Sequence, residues 1–211
     1  TASRLPFYSL GRLGLDNRAT VLTIGFVLII LATNHVMANL PNVKFFDLLV
    51  LSAGYVLGFR RGMLVAASAW IVYGTFNPWG TADPLLLTVL MGSETVYAFA
   101  GSLLRSLLKP SALNFTGSRQ IVLLTLFGLI STAFYDMVTN IYTGLVWANL
   151  AGTSEYWYWL RMALFNPGAL LFSMVHVSSN IFLFVAAGPI VIKTGMFLNG
   201  FVGNGIRVDP D

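Results

Sequence analysis

The sequence predicts an all-α integral membrane protein: a six-transmembrane-helix bundle, N-in/C-in, with a ligand cavity open to the outer side. Three observations carry this. Only 9% of the 211 residues are charged and 56% are hydrophobic, against about 25% charged in an ordinary soluble domain. Apolar runs recur along nearly the whole chain, most of them near the ~20 residues that cross a ~30 Å hydrocarbon layer. The 12 Lys and Arg residues fall between those runs, biased to one side. So little charge cannot coat a water-soluble globule of this size, which excludes a secreted or cytosolic enzyme. A pI near 9.6 with scattered basic residues predicts topology rather than nucleic-acid binding.

The elements follow in order. Residues 1–18 are polar and mildly basic, a cytoplasmic N-terminal segment. The first run is Ala19–Leu40. The second and third, Asn42–Phe59 and Gly62–Asn77, are short. A re-entrant hairpin competes with two spans there, but it would bury Arg60 and Arg61 at ~3 kcal/mol each, so two spans are expected. Pro84–Leu108, Ile121–Trp147 and Pro167–Lys193 complete the membrane domain over 19–193, and 194–211 is a cytoplasmic tail. Asn166-Pro167 reads as a helix cap followed by a first-turn proline.

Basic residues set the orientation. With the N-terminus inside, Arg4, Arg12, Arg18, Arg60, Arg61, Arg105, Lys109, Arg119, Lys193 and Arg207 lie in the cytoplasm, and only Lys44 and Arg161 lie outside. The block Tyr156-Trp157-Tyr158-Trp159, with Trp79 and Trp147, then falls at the outer interface. These rings form either an interfacial belt or a stacking lid over a flat ligand.

Function is sought where polarity is costly. The absence of Cys removes thiolate chemistry and Cys-type metal sites. No G-x-x-x-x-G-K-[ST], H-E-x-x-H or G-x-S-x-G is present. Glu94, Asp136 and His176 are ionisable groups inside three spans, and such groups are functional candidates by default. At 1.5 Å per residue they lie ~15, ~16 and ~14 Å from the outer ends of their helices, on one level. Thr132, Asp136 and Asn140 share one helical face; Ser173, His176 and Asn180 share another. Tyr97 sits three residues from Glu94. Asn34, beside Thr33 and His35, ends the first run, and Asp47 lies near the outer end of the second. The pattern describes a cup rather than a channel. Interhelical hydrogen bonding accounts equally for Asn140 and Asn180. Small-residue pairs, Gly54-x-x-x-Gly58 and Ala98-x-x-x-Ser102, serve either internal packing or docking of another membrane protein.

Six blocks then carry a resemblance. They are Pro41-Asn42-Val43-Lys44-Phe45-Phe46-Asp47, Ala53-Gly54-Tyr55, Gly58-Phe59-Arg60-Arg61-Gly62, Asn77-Pro78-Trp79-Gly80, Tyr135-Asp136-Met137-Val138-Thr139-Asn140 and His176-Val177-Ser178-Ser179-Asn180. In this order the chain resembles the substrate-binding S component of an energy-coupling factor (ECF) vitamin transporter. The resemblance implies a multi-pass protein of a prokaryotic cytoplasmic membrane that binds a small organic vitamin or precursor from outside. A transmembrane coupling subunit and cytoplasmic ATPases would drive uptake, so no catalysis and no cofactor are expected in this chain. It implies ligand contacts at Trp79, Asp136, Asn140, His176 and Asn180; Glu94, Tyr97 and Asn34 join them by depth and position. Many members of the family dock through an Ala-x-x-x-Ala face on the first helix; this chain departs from that pattern and offers only the scattered small residues Ala19, Thr23, Gly25 and Ala32 there. Gly25 and Ala32, with Gly54 and Gly58, are the expected partner-facing positions. Nickel and cobalt members need an N-terminal Met-His segment that this chain lacks, so no metal substrate is expected. Two other readings stand beside it: an accessory subunit of a larger membrane complex, and an intramembrane acid/base enzyme, for which Glu94 and Asp136 would have to share a proton.

Overall fold

The computed structural model describes residues 17–113, 115 and 117–200. Arg4, Arg12, Arg207 and most of both expected cytoplasmic ends lie outside the described residues. Within them the chain is helical, with no strand: α1 (Asn17–Val36), α2 (Phe46–Leu57), α3 (Phe59–Phe76), α4 (Pro84–Leu107), α5 (Ser118–Leu150), α6 (Tyr156–Phe165), α7 (Pro167–Ala186) and α8 (Gly188–Leu198), with one 3-10 turn at Pro110–Ala112. Among the described residues α1, α4, α5 and α7 are long and apolar enough to cross a membrane. Their outward faces carry large apolar side chains, including Ile24 and Leu28 on α1, Phe99 on α4, Ile130 on α5 and Phe182 on α7. Contiguous apolar surface of that extent is what a lipid environment covers.

Three expectations change. The second run is a helix of only 12 residues, 11 of them buried, or ~18 Å long. Such a helix is too short to cross alone. Its residues before Phe46 form a non-helical segment instead, and α2 sits inside the bundle, packed against α1, α3, α4 and α8 and, less extensively, α5 and α7. The sixth run is two helices, broken between Ala186 and Gly188, because Pro189 has no N–H for the helical ladder and its ring crowds the preceding turn. The break lets Gly188 lie against Leu124, where a Cβ would come within 2.7 Å of Cδ2, and α8 runs past Lys193 into the expected tail. The aromatic block opens a helix of its own, α6, packed on the end of α5.

Local chemistry accounts for the helix starts. Asp83 caps α4, accepting from Leu85 N–H at 2.9 Å and Leu86 N–H at 3.0 Å, with Pro84 in the first turn. Asn166 caps α7 through Ala169 N–H at 3.0 Å, with Pro167 following, as the sequence predicts. Between α2 and α3 a single residue reverses the chain. Gly58 holds φ +85°, a left-handed setting that favours glycine.

That reversal lays α3 back along α2. A Cβ on Gly62 would stand 2.8 Å from Gly54 Cα, and one on Gly54 would stand 2.2 Å from the Ala98 carbonyl oxygen of α4. The expectation that Gly54 faces a partner is therefore corrected: the residue is consumed by close packing of α2 on α4. Gly58 is occupied in the turn. Gly25 and Ala32 remain on the outer side of α1, where a Cβ on Gly25 would meet nothing within 4 Å and Ala32 is exposed.

Contacts define two ends of the bundle. At one, Arg61 donates to Thr20 Oγ1, Tyr55 donates to the Leu108 carbonyl at 2.5 Å, and Asn199 donates to the Val56 carbonyl. The described basic residues Arg18, Arg60, Arg61, Arg105, Lys109, Arg119 and Lys193 belong to this end. At the other, Asn42 donates to the Phe172 carbonyl, His35 meets the Phe76 carbonyl and Tyr142 donates to Asp83. Here α1, α3 and α5 finish and α4 and α7 begin.

Candidate functional site

The short α2 leaves the space above its first turn unfilled, and that space is a cavity of about 500 Å³. Volumes of this size suit a small organic molecule. Its walls come from the 37–44 segment, from Trp70 and Tyr73 of α3, Leu90 of α4, the Tyr135–Thr143 stretch of α5, and Phe172 and Ser173 of α7. Non-helical backbone at this depth is tolerated where it lines a cavity or is buried in protein.

Beneath the cavity lies a closed polar layer centred on Asp47. One carboxylate oxygen, Oδ2, receives His176 Nε2 at 2.6 Å, Asn180 Nδ2 at 2.7 Å and, at 3.1 Å, the Tyr97 hydroxyl. Thr132 Oγ1 joins the layer, accepting from Asn180 at 2.8 Å and lying 2.9 Å from Tyr97, while its own proton goes to the Gly128 carbonyl. The other carboxylate oxygen, Oδ1, faces Lys44 Nζ at 3.6 Å. Asp47, Glu94, Thr132, His176 and Asn180 are all fully buried.

His176 links this layer to the cavity. Its Nδ1 stands 2.7 Å from Asp136 Oδ1 while Nε2 meets Asp47. Carboxylates only accept. Both bonds are satisfied when the ring carries a proton on each nitrogen, or when one carboxyl holds the shared proton. Either way both ring nitrogens are engaged, so neither has a lone pair open to a metal. Lys44 completes the junction, its ammonium over the Tyr135 ring at 4.5 Å and near Trp70 at 5.5 Å. This geometry combines a buried ion pair with cation–π contacts. At the same end of the bundle, the Leu86 N–H, then the Leu85 N–H and the Tyr142 hydroxyl, hold the Asp83 carboxyl below the usual carboxylate range.

The predicted residues divide by depth. Asn34, Trp79, Asp136 and Asn140 line the cavity. Glu94, Tyr97, His176 and Asn180 are 0% exposed, so the expected direct contact of these four with a ligand is corrected to a supporting place behind the wall. Glu94 is screened by Trp70, whose Nε1 donates to Oε2 at 3.3 Å. Of the three level residues, Asp136 and His176 touch, and only Asp136 opens to the hollow. No bond joins Glu94 to Asp136 among the described contacts.

Lys44, Trp70, Tyr73 and Tyr135 join the site beyond the residues expected from sequence, where Lys44 counts only as an outer-loop charge. One signal for Lys44 is present: Lys44 and Asp47, three residues apart, open an apolar run, and an unpaired charge there would be prohibitive. The aromatic residues carry no comparable signal. Comparison with protein-family models, curated proteins and solved structures finds no match to this chain.

Proposed function

We propose that this chain is the substrate-capture subunit of a membrane importer of the ECF type, binding a small ring-bearing organic molecule from outside. The observation that carries the reading is the cavity itself: about 500 Å³, walled by Trp70, Tyr73 and Tyr135, with Asp136 and Asn34 among its polar atoms. In this reading the chain passes the membrane six times with both ends inside. The segment 37–45 and α2 together make the second pass, and α7 with α8 makes the sixth. The concentration of described Arg and Lys at one end supports the orientation, since cytoplasmic ends carry the excess of basic residues. The cavity then opens outward. Energy would come from a coupling subunit and ATPases; Gly25 and Ala32 on the outer side of α1 are the remaining partner-facing candidates.

An enzyme reading gains little here. The two acids it would pair are held by different partners, Asp136 by His176 and Glu94 by Trp70. The accessory-subunit reading leaves the cavity without a role.

Native mass spectrometry of protein purified from its own membranes tests the proposal. A retained small molecule is expected, with its occupancy reduced at least tenfold, or ~1.4 kcal/mol, by Asp136→Ala. His176→Ala should act in the same direction by freeing Asp136. A parent protein that carries nothing, or variants that retain as much as the parent, would overturn it.

A further inference from the structure

Several donors of the cavity wall are already engaged within the chain. Trp70 Nε1 donates to Glu94, the hydroxyls of Thr139 and Thr143 donate to backbone carbonyls one turn earlier, and Asn42 Nδ2 donates to the Phe172 carbonyl. Acceptors are left over. Asn34 Oδ1 and Asp136 Oδ2 are buried and without a partner, and both residues line the hollow. Asn34 is only 4% exposed. A buried acceptor without a donor costs ~1–3 kcal/mol, and two around one hollow constitute a request for N–H or O–H groups.

Charge points the same way. The ammonium of Lys44 is paired with Asp47 and capped by the Tyr135 face. Three carboxyl groups (Asp47, Glu94 and Asp136) surround Lys44 and His176. An incoming carboxylate or phosphate would meet Asp136 Oδ2, while Lys44, the cation that lines the hollow among the described residues, is already committed to Asp47.

Resting on the capture reading, we propose that the cavity selects a planar ring ligand whose inner edge donates hydrogen bonds from amino or amidinium-type N–H groups to Asp136 and Asn34. A ligand that buries an anionic group there is rejected. The rings of Trp70, Tyr73 and Tyr135 supply faces for the planar part, and the Asp136 carboxylate supplies the geometry that amidinium-type groups match in pairs. The Asp136–His176 bond fixes the rotamer from behind, which makes His176 a positioning residue.

Three probes of one size separate the classes: benzamidine, benzamide and benzoate. Binding to the full-length protein in detergent is read by quenching of tryptophan emission, with Trp70→Phe identifying the signal from the cavity wall. Benzamidine should bind at least tenfold more tightly than benzoate, with benzamide between them. Asp136→Asn should remove most of the preference for benzamidine over benzamide. Asn34→Leu, placed at the end of α1 away from the buried layer, should weaken both and serves if Asp136→Asn does not fold. Benzoate binding as tightly as benzamidine overturns the ligand class and leaves capture standing. No quenching by any probe at ~1 mM, a ligand of ~4 kcal/mol, also overturns the class; a molecule retained in native mass spectrometry then keeps the capture reading alive, and an empty protein ends both.

Discussion

Asp47 is the residue on which the buried layer turns. Its two oxygens serve Lys44, His176, Asn180 and Tyr97 from four directions. Removing it strands an ammonium and an imidazole away from water, a situation that costs ~3–5 kcal/mol for a buried pair. Asp47→Ala should therefore lower the melting temperature in detergent far more than Lys44→Met, which removes a cation and leaves Asp47 its three hydrogen-bond donors. Equal losses from the two variants would contradict this picture. Single residues were unevenly legible. The helical spacing of Thr132, Asp136 and Asn140, and of Ser173, His176 and Asn180, placed each set on the inward face it occupies. Depth along that face was not legible to the same extent, because 1.5 Å per residue gives height without the tilt that decides which group meets the hollow. Asp136 and His176 meet; Glu94, at the same nominal height, turns to Trp70.

At the scale of elements, close approach governs. Gly101 lies where a Cβ would come within 1.9 Å of the Leu51 carbonyl oxygen, whereas a Cβ on Gly25 meets nothing within 4 Å. Gly101→Ala must push α4 from α2 and should cost at least the ~1–3 kcal/mol typical of overpacking, while Gly25→Ala, mid-helix with open space for its Cβ, should raise thermal stability slightly, by ~0.4–1 kcal/mol. A tolerant Gly101 would mean that α2 and α4 are farther apart than described. The start of α4 offers a pH test. Asp83 ionises more readily in the folded chain than in the unfolded one because it accepts from Leu86 and Leu85, so its capping contribution is fully present above the unfolded carboxyl value of ~3.9 and fades as pH falls through the lowered folded value. Acid melting curves of Asp83→Asn, which caps without ionising, should lose that part of the pH dependence; an unchanged curve would remove Asp83 as its source. Helix starts at Pro84 and Pro167 were legible from cap and proline chemistry. Pro189 carries the same kind of signal for the break between α7 and α8, but the apolar run continues across it and masks the break. The brevity of α2 was hidden for the same reason: hydropathy does not distinguish a buried helix from the non-helical segment that precedes it.

For the whole molecule, one architectural fact organises the rest. A helix that stops halfway leaves a chamber at one end of the bundle, lined by the segment that replaces it, floored by a buried polar layer centred on Asp47 and lying opposite the basic end. The central claim is that this chamber faces the exterior and receives a small molecule there. The absence of cysteine in the sequence makes a direct test possible, since any introduced thiol is unique. Asn140→Cys, on the cavity wall, and Arg60→Cys, at the tip of the α2–α3 turn, are each exposed in intact cells to a maleimide that cannot cross membranes. The account predicts labelling of Cys at 140 from outside and of Cys at 60 only after the membrane is opened; the reverse pattern would contradict it.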